Sequence, residues 1–253
     1  MTRKYQSIID SIYPGALLLF IAVLWQIVCE LGLVPAFMLP SPVDVIKAFV
    51  NDFPLLISHA RTSLTVSAIG LFYSVTVAFI LGILMDRFEF LYKMLFPTVI
   101  ITQTVPTIAV APLLVLWMGY GMTPKIAVVF ITCFFPVLIG FLTGLKSVNT
   151  SVLNLFRSMS ANYFQVLTMV KIPYAMDGLF SGLRISATYA IVGAVIAEWL
   201  GGSSGLGVYM TRVRNAYAFD KMFAVIILIT IISLIVVKLV DMAHDGLTKY
   251  KSK

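Results

Sequence analysis

Six apolar stretches constrain this chain more than any other feature of it. They lie near residues 14–33, 63–85, 95–118, 125–145, 178–200 and 222–240. Each is long enough for a helix to cross about 30 Å of hydrocarbon. No water is available there, so every backbone N–H and C=O must be satisfied within the segment, and helices are the expected form. Composition agrees: 60% of residues are hydrophobic and 11% charged, where a soluble domain carries roughly a quarter charged residues. The expectation is an all-α membrane protein with six transmembrane helices, one domain over residues 1–253.

The net charge of +7 would suggest nucleic acid in a soluble protein. Here the basic residues flank apolar spans, where they set orientation against anionic lipid. No aromatic–basic platform for nucleic acid is present. With the N-terminus inside, Arg3, Lys4, Arg87, Lys93, Lys146, Arg157, Lys171, Arg184, Lys238, Lys249, Lys251 and Lys253 face the cytoplasm. Lys47, Arg61, Lys125, Arg212, Arg214 and Lys221 face outward. This two-to-one bias predicts both termini inside. The run from Pro14 to Leu33 is too long for a signal-peptide core, and no A-x-A site ends it, so a retained first span is expected. Cys29 and Cys133 both fall inside spans, which favours neither a disulfide nor a metal site.

Span two carries Gly70, Ser74, Ala78 and Gly82, and span five carries Gly178, Gly182, Ser186, Ala190 and Ala194. Small residues four apart let helices approach closely in lipid, so these two spans are expected to form the packed centre. Span three holds Pro97, Pro106 and Pro112 around Thr102-Gln103-Thr104. Proline kinks it, and Gln103, Thr104 and Pro106 become candidates for a translocation pathway, with an interhelical hydrogen bond as the alternative use of the polar pair. Glu198, near the outer end of span five, is a candidate for substrate contact, a gate or packing. Arg184 is placed to snorkel, and Asp177 to favour the helix dipole at the start of span five.

Outside the spans, Ser41-Pro42 is an N-cap and first-turn pair. Val43, Ile46, Phe49, Val50 and Phe53 then line one face of a short helix on the outer surface. The glycine-rich segment Gly201–Gly207 resembles a phosphate loop, yet no G-x-x-x-x-G-K-[ST] pattern is present. Another short outer helix is expected over 208–217.

The segment from Ser151 to Asp177 is amphipathic. Val152, Leu155, Phe156, Met159, Tyr163, Val166, Leu167 and Val170 share one face, while Asn154, Arg157, Ser158, Asn162, Gln165, Thr168 and Lys171 share the other. It is too polar for hydrocarbon and falls on the cytoplasmic side. It is either an interfacial connector or a docking element for a soluble partner. No nucleotide-binding motif, nucleophile elbow, paired carboxylates or buried proton relay accompanies it. A pathway with no energy source of its own needs an external motor, and this segment is where one could dock.

Aligned on Pro173, the segment resembles the coupling motif of binding-protein-dependent ABC importer permeases, E-A-A, three residues, Gly, nine residues, I-x-L-P. Asn154-Leu155-Phe156 stand for E-A-A, Ser160 for the glycine, Val170 for Ile and Ile172 for Leu. LPSP at Leu39–Pro42, VPTIAVAPLLVLWMGYG at Val105–Gly121, FFP at Phe134–Pro136, SGLRIS at Ser181–Ser186 and AEWLGGSSGLG at Ala197–Gly207 are similar to the nitrate/sulfonate/taurine branch. Ala194–Gly202 most resembles permeases for the hydroxymethylpyrimidine precursor of thiamine. Riboflavin, taurine, alkanesulfonate and nitrate remain alternative cargoes, and a stand-alone channel or secondary carrier the alternative class.

The resemblance implies a type I importer fold in a bacterial cell membrane and no enzymatic activity in this chain. It implies a homodimer with a second permease copy, two ATPase subunits that bind ATP and Mg, and an extracytoplasmic binding protein docking near 41–53 and 203–217. It implies that Asn154, Arg157, Ser158, Ser160, Ala161, Phe164, Gln165 and Pro173 couple to the ATPase, through a short helix near Ser158–Gln165.

Overall fold

The computed structural model describes residues 2–35 and 37–248, and the side chains from Tyr13 on apart from Pro14 and Thr248. Lys249, Lys251 and Lys253 lie outside the described residues, as do the side chains of Arg3 and Lys4. The helices are α1 (Thr2–Glu30), α2 (Pro42–Asn51), α3 (Phe53–Arg87), α4 (Glu89–Gln103), α5 (Thr107–Met118) and α6 (Met122–Lys146). They continue with α7 (Thr150–Ser158), α8 (Tyr163–Val166), α9 (Ile172–Trp199), α10 (Leu206–Asn215) and α11 (Phe219–Thr248). No strand occurs among the described residues.

Four stretches are long and apolar enough to cross a membrane: α3, α6, the run Tyr163–Trp199 and α11. The third expected span is broken. α4 and α5 meet at a bend of 101° and together would make a fifth crossing. The first expected span is a shorter apolar helix over Gly15–Glu30 within α1.

The break in span three follows from Pro106. Proline lacks an N–H and restricts Val105 before it. The Thr102 carbonyl, which Pro106 cannot serve, accepts from Val105 N–H at 3.3 Å, and the end of α4 is closed by Thr104 N–H and Oγ1, which donate to Ile101 O at 3.0 and 2.7 Å. Pro97 and Pro112 lie inside α4 and α5 without ending them.

The chain divides into two compact units. The first is the chain up to Ser58 with Tyr209–Leu228. In it Ser41 caps α2, accepting from Asp44 N–H at 3.2 Å, with Pro42 in the first turn. Val45 and Ala48 of α2 are buried against Ala224, with Trp25 and Phe223 packed alongside. The apolar face foreseen for this helix is the other one: Val43, Ile46 and Val50 are exposed, free to face lipid.

The second unit is His59–Val208 with Ile229 onward. Its centre is α6, on which spans two and five both pack, and the two also meet directly: Ser67 Oγ of α3 donates to Ala190 O of α9 at 3.1 Å. The α3 ladder meets α6: Ser74 Oγ donates to Phe130 O at 3.0 Å, and Cβ atoms at Gly70 and Gly82 would overlap Val129 and Phe141. The α9 ladder meets α6 as well. Ser186 Oγ donates to Cys133 O at 2.8 Å, and a Cβ at Gly178 or Gly182 would overlap the carbonyl of Gly140 or Pro136. α6 brings its own glycines, Gly140 and Gly144, to this contact, so two backbones nearly touch. Ala78, with Leu138, Phe141, Leu142 and Leu145 of α6, forms the largest buried cluster. Ala190 and Ala194 pack with Val66, Val129 and Cys133.

Candidate functional site

The polar segment is not one helix. α7 ends at Ser158, and the turn that follows places Ser160 at φ 57°. Ser160 N–H donates to Arg157 O at 2.9 Å and Ala161 N–H to Phe156 O at 3.0 Å. These two bonds define a Schellman ending, whose left-handed position is usually glycine because a Cβ is penalised there. Ser160 occupies it. Asn162 then opens α8 with a capping box: Asn162 Oδ1 accepts from Gln165 N–H at 2.9 Å, and Gln165 Oε1 accepts from Asn162 N–H at 2.8 Å. The coupling helix foreseen over Ser158–Gln165 is therefore a turn followed by the first turn of α8.

A π-helical turn, Leu167–Lys171, joins α8 to α9, with Ile172 N–H reaching back to Leu167 O. Pro173 explains the widening. In a regular helix its ring would press on the carbonyl of Met169, and it has no N–H to offer. The helical run thus begins at Tyr163, well before residue 178. Asp177 consequently lies inside α9 rather than in its first turn, and its Oδ1 sits 3.2 Å from His244 Nε2. Arg184 does not simply extend toward the surface either: it pairs with Asp241 at 2.6 Å.

One face of the segment is anchored and the other is open. Lys171 Nζ lies 2.7 and 2.8 Å from the two Asp86 oxygens, and Tyr163 Oη donates to Asp86 Oδ2 at 3.1 Å. Arg87 covers the Tyr163 ring at 4.5 Å. The Asp86 side chain is 5% exposed and that of Lys171 18%. This pair is accordingly worth more than a surface ion pair, which contributes about 0–1 kcal/mol. Leu167 and Val170 are buried, while Leu155, Met159 and Phe164 are exposed. A cleft of about 260 Å³ runs beside them, lined by Leu153, Arg157, Ala161, Tyr163, Val166 and Lys171. Asn154 Oδ1 accepts from Arg157 at 3.4 Å, and Ser158 Oγ donates to Leu155 O at 2.8 Å.

Asp86 and Tyr163 were not singled out from the sequence as functional. The available signal was an acid ending span two, facing the basic residue of a segment 85 positions later.

At the bend between α4 and α5, Gln103 lines a cavity of about 220 Å³ with Thr102, Thr107, Thr132 and Tyr189. Pro136 closes one side of it. Thr104 and Pro106 are exposed and do not line this cavity. Glu198 is 1% exposed and is not among the lining residues. Ser63 Oγ donates to its carboxylate at 2.8 Å, Gly207 N–H donates to Oε2 at 2.8 Å, and Leu206 N–H donates to Ser63 Oγ at 2.9 Å. Gly205 adopts φ 124°, and a Cβ there would overlap the Glu198 carboxyl group. The GLG triplet thus folds over an acid that occupies the place of side chains.

The described helices are those of a membrane protein, with a bent helix pair at α4 and α5 and a broken amphipathic segment between α6 and α9. The family profile described as "binding-protein-dependent transport system inner membrane component" matches residues 74–249. The chain belongs to this family, the membrane-spanning permease subunits of ABC importers. It is 31% identical to the formylaminopyrimidine transport permease protein ThiX of Halalkalibacterium halodurans, over 93% of this chain and 92% of that one. A probable ABC transporter permease of Haemophilus influenzae is 34% identical, over 83% of this chain and 86% of its own. Among solved structures, an inward-facing form of the MetNI methionine ABC transporter superposes with a TM-score of 0.69 at 18% identity, covering 78% of this chain and 97% of that one. The fold is that of a type I importer permease, and the protein is a multi-pass component of the cell membrane.

Proposed function

We propose that this permease imports a thiamine pyrimidine precursor, driven by ATP hydrolysis on a separate subunit that docks on the Thr150–Lys171 segment. The observation that carries the docking half is the pairing of an anchored face with an open one. Asp86 ties Lys171 and Tyr163 to the bundle, while Leu155, Met159 and Phe164 stand exposed on a segment too polar to enter lipid. The cargo half rests on the likeness to the ThiX permease across nearly the full chain and on the Ala194–Gly202 pattern.

In this reading two permease copies pair, and two ATPase subunits bind ATP and Mg. Closure of the ATPase dimer pulls the segment, and the movement passes to α9 through the continuous helical run from Tyr163. The bent third span opens and closes the path, with Gln103 as the polar group that meets solute. An external binding protein delivers the solute, and both termini lie in the cytoplasm.

Ser160→Arg combined with Phe164→Ala tests the docking. The double variant is expected to lose solute uptake and transport-linked ATP hydrolysis while keeping the wild-type unfolding midpoint. Normal uptake would sink the docking role. Flux through vesicles holding this chain alone, without ATP, would instead favour a stand-alone carrier. The cargo is tested by uptake of labelled hydroxymethylpyrimidine against taurine and riboflavin in cells expressing the complete system.

A further inference from the structure

The structure points to an oxyanion-binding site on the second unit, at the opposite end of α3 from Asp86. We infer that it binds a small oxyanion, such as a sulfate, phosphate, sulfonate or carboxylate group, between Arg61 and Lys125. This inference is independent of the docking segment and of the cargo.

Three elements build the site: the start of α3, the N-terminus of α6 and the glycine-rich loop after α9. They border an open cavity of about 450 Å³ lined in part by Arg61, Thr62, Lys125, Gly202, Ser203 and Ser204. Lys125 is 6% exposed, an unusual state for an ammonium group, which is rarely buried without a partner. Among the described residues it forms no ion pair or hydrogen bond, and neither does the Arg61 guanidinium. Its Nζ reaches so far over the loop that a Cβ at Gly202 would overlap it. The nearest buried acid, Glu198, attracts Lys125 only through space. Glu198 is already engaged by Ser63 and Gly207, and one acid against two cations leaves a net positive charge.

The other groups suit the same ligand. α6 begins at Met122 with no side-chain cap, so of its first turn the Met122 and Thr123 N–H groups are without a side-chain acceptor (Pro124 has none to offer), and its dipole favours an anion. Thr62 and Ser204 hydroxyls sit 3.4 Å apart at the rim. A guanidinium, an ammonium and the Ser204 hydroxyl, which accepts from Thr62 and keeps its own proton to give, together offer an excess of donors and positive charge, which is the complement of an oxyanion. Gly201–Gly207 carries no Walker pattern. Its loop serves this site through Gly202 and the two serines, not through a run of backbone N–H groups.

Two sources carry this chemistry, a free solute anion and a phospholipid headgroup. The full-length permease is placed in nanodiscs of phosphatidylcholine alone or with phosphatidylglycerol. It is titrated with sodium sulfate and with sodium phosphate, at ionic strength held constant with sodium chloride, and its unfolding temperature is read. We expect a saturable rise in the phosphatidylcholine discs, with apparent affinity about tenfold weaker in Arg61→Gln and in Lys125→Gln. Arg61 is exposed, so its variant keeps the test valid even where Lys125→Gln folds poorly. If phosphatidylglycerol abolishes the wild-type response, the site stands with a headgroup as its occupant. If the response persists, the site stands with the free oxyanion. No saturable response in either lipid, or one unchanged in Arg61→Gln, overturns the inference.

Discussion

Two buried carboxylates mark the two ends of α3, and they are held in opposite ways. Ser63 and Asp86 are 23 residues apart on this helix, about 35 Å along its axis. At the Ser63 end, Glu198 is enclosed by neutral donors, a hydroxyl and a backbone N–H, with Gly205-Leu206-Gly207 folded over it. At the other end, Asp86 is held by a lysine and a phenol that belong to a largely exposed segment. Displacing any donor around Glu198 leaves a buried charge unmet, which is costly. Parting Asp86 from Lys171 returns the ammonium to water but leaves a carboxylate that is 5% exposed with only the Tyr163 hydroxyl, so this contact is costly to break as well. The first arrangement ties α9 to α3 within the bundle, and the second ties the exposed segment to α3.

Glu198→Ala is the strongest way to break this contrast. It leaves the Gly207 N–H and Ser63 without their acceptor and opens a void, and about 3 kcal/mol of stability should go. Thermal unfolding in detergent reads this, and an unshifted midpoint would show that the clasp is not structural.

Asp86→Asn removes the charge facing Lys171 but keeps the shape. It should cost about 1–2 kcal/mol and raise the ATP consumed per solute carried. If that ratio stays at the wild-type value, the Asp86 anchor plays no part in transmission.

Ser160→Gly relieves a Cβ in the left-handed region. A gain of about 0.5–1 kcal/mol is expected with uptake retained, whereas Ser160→Val should lose stability at the same turn. Equal midpoints for all three would remove the argument from backbone strain.

Asp52 supplies the smallest effect and an outside reference. The Lys221 ammonium, and then the Tyr209 hydroxyl, hold its carboxyl below the usual carboxylate range. A lowered folded value means the contribution is present above about pH 4, the unfolded range, and is lost as pH falls through the folded value. Lys221 is 40% exposed, so the contribution is under about 1 kcal/mol. Acid unfolding of the wild type and of Asp52→Asn should converge at low pH. Tyr209 is shifted the other way, upward, by burial and then by Asp52.

Much of this was legible along the chain. Spans two, four and six, the Ser41 cap with Pro42, and the break potential at Pro106 follow from hydropathy and proline chemistry. The ladder Gly178, Gly182 and Ser186 marked a close helix contact, though not its partner. Sequence spacing fixes which face of a helix is small, but not which neighbour meets that face. Gly140 and Gly144 of α6 resolve it. Motif alignment identified position 160 as a turn, and the structure supplies the reason, a helix ending that demands positive φ. Asp86, Ser63 and Lys125 were unreadable as members of sites, because each is defined by a residue more than 70 positions away or by a loop folded against it.

The sequence by itself determined the class: apolar runs leave the backbone no choice but helices, and a polar segment between two of them must sit at the surface. Tertiary structure decided what each polar group does. An acid in a span is a clasp, a gate or a binding group depending on which donors reach it. Hydrogen bonds extend only about 3 Å, so Ser63 and Gly207 chose for Glu198, and Lys171 with Tyr163 chose for Asp86.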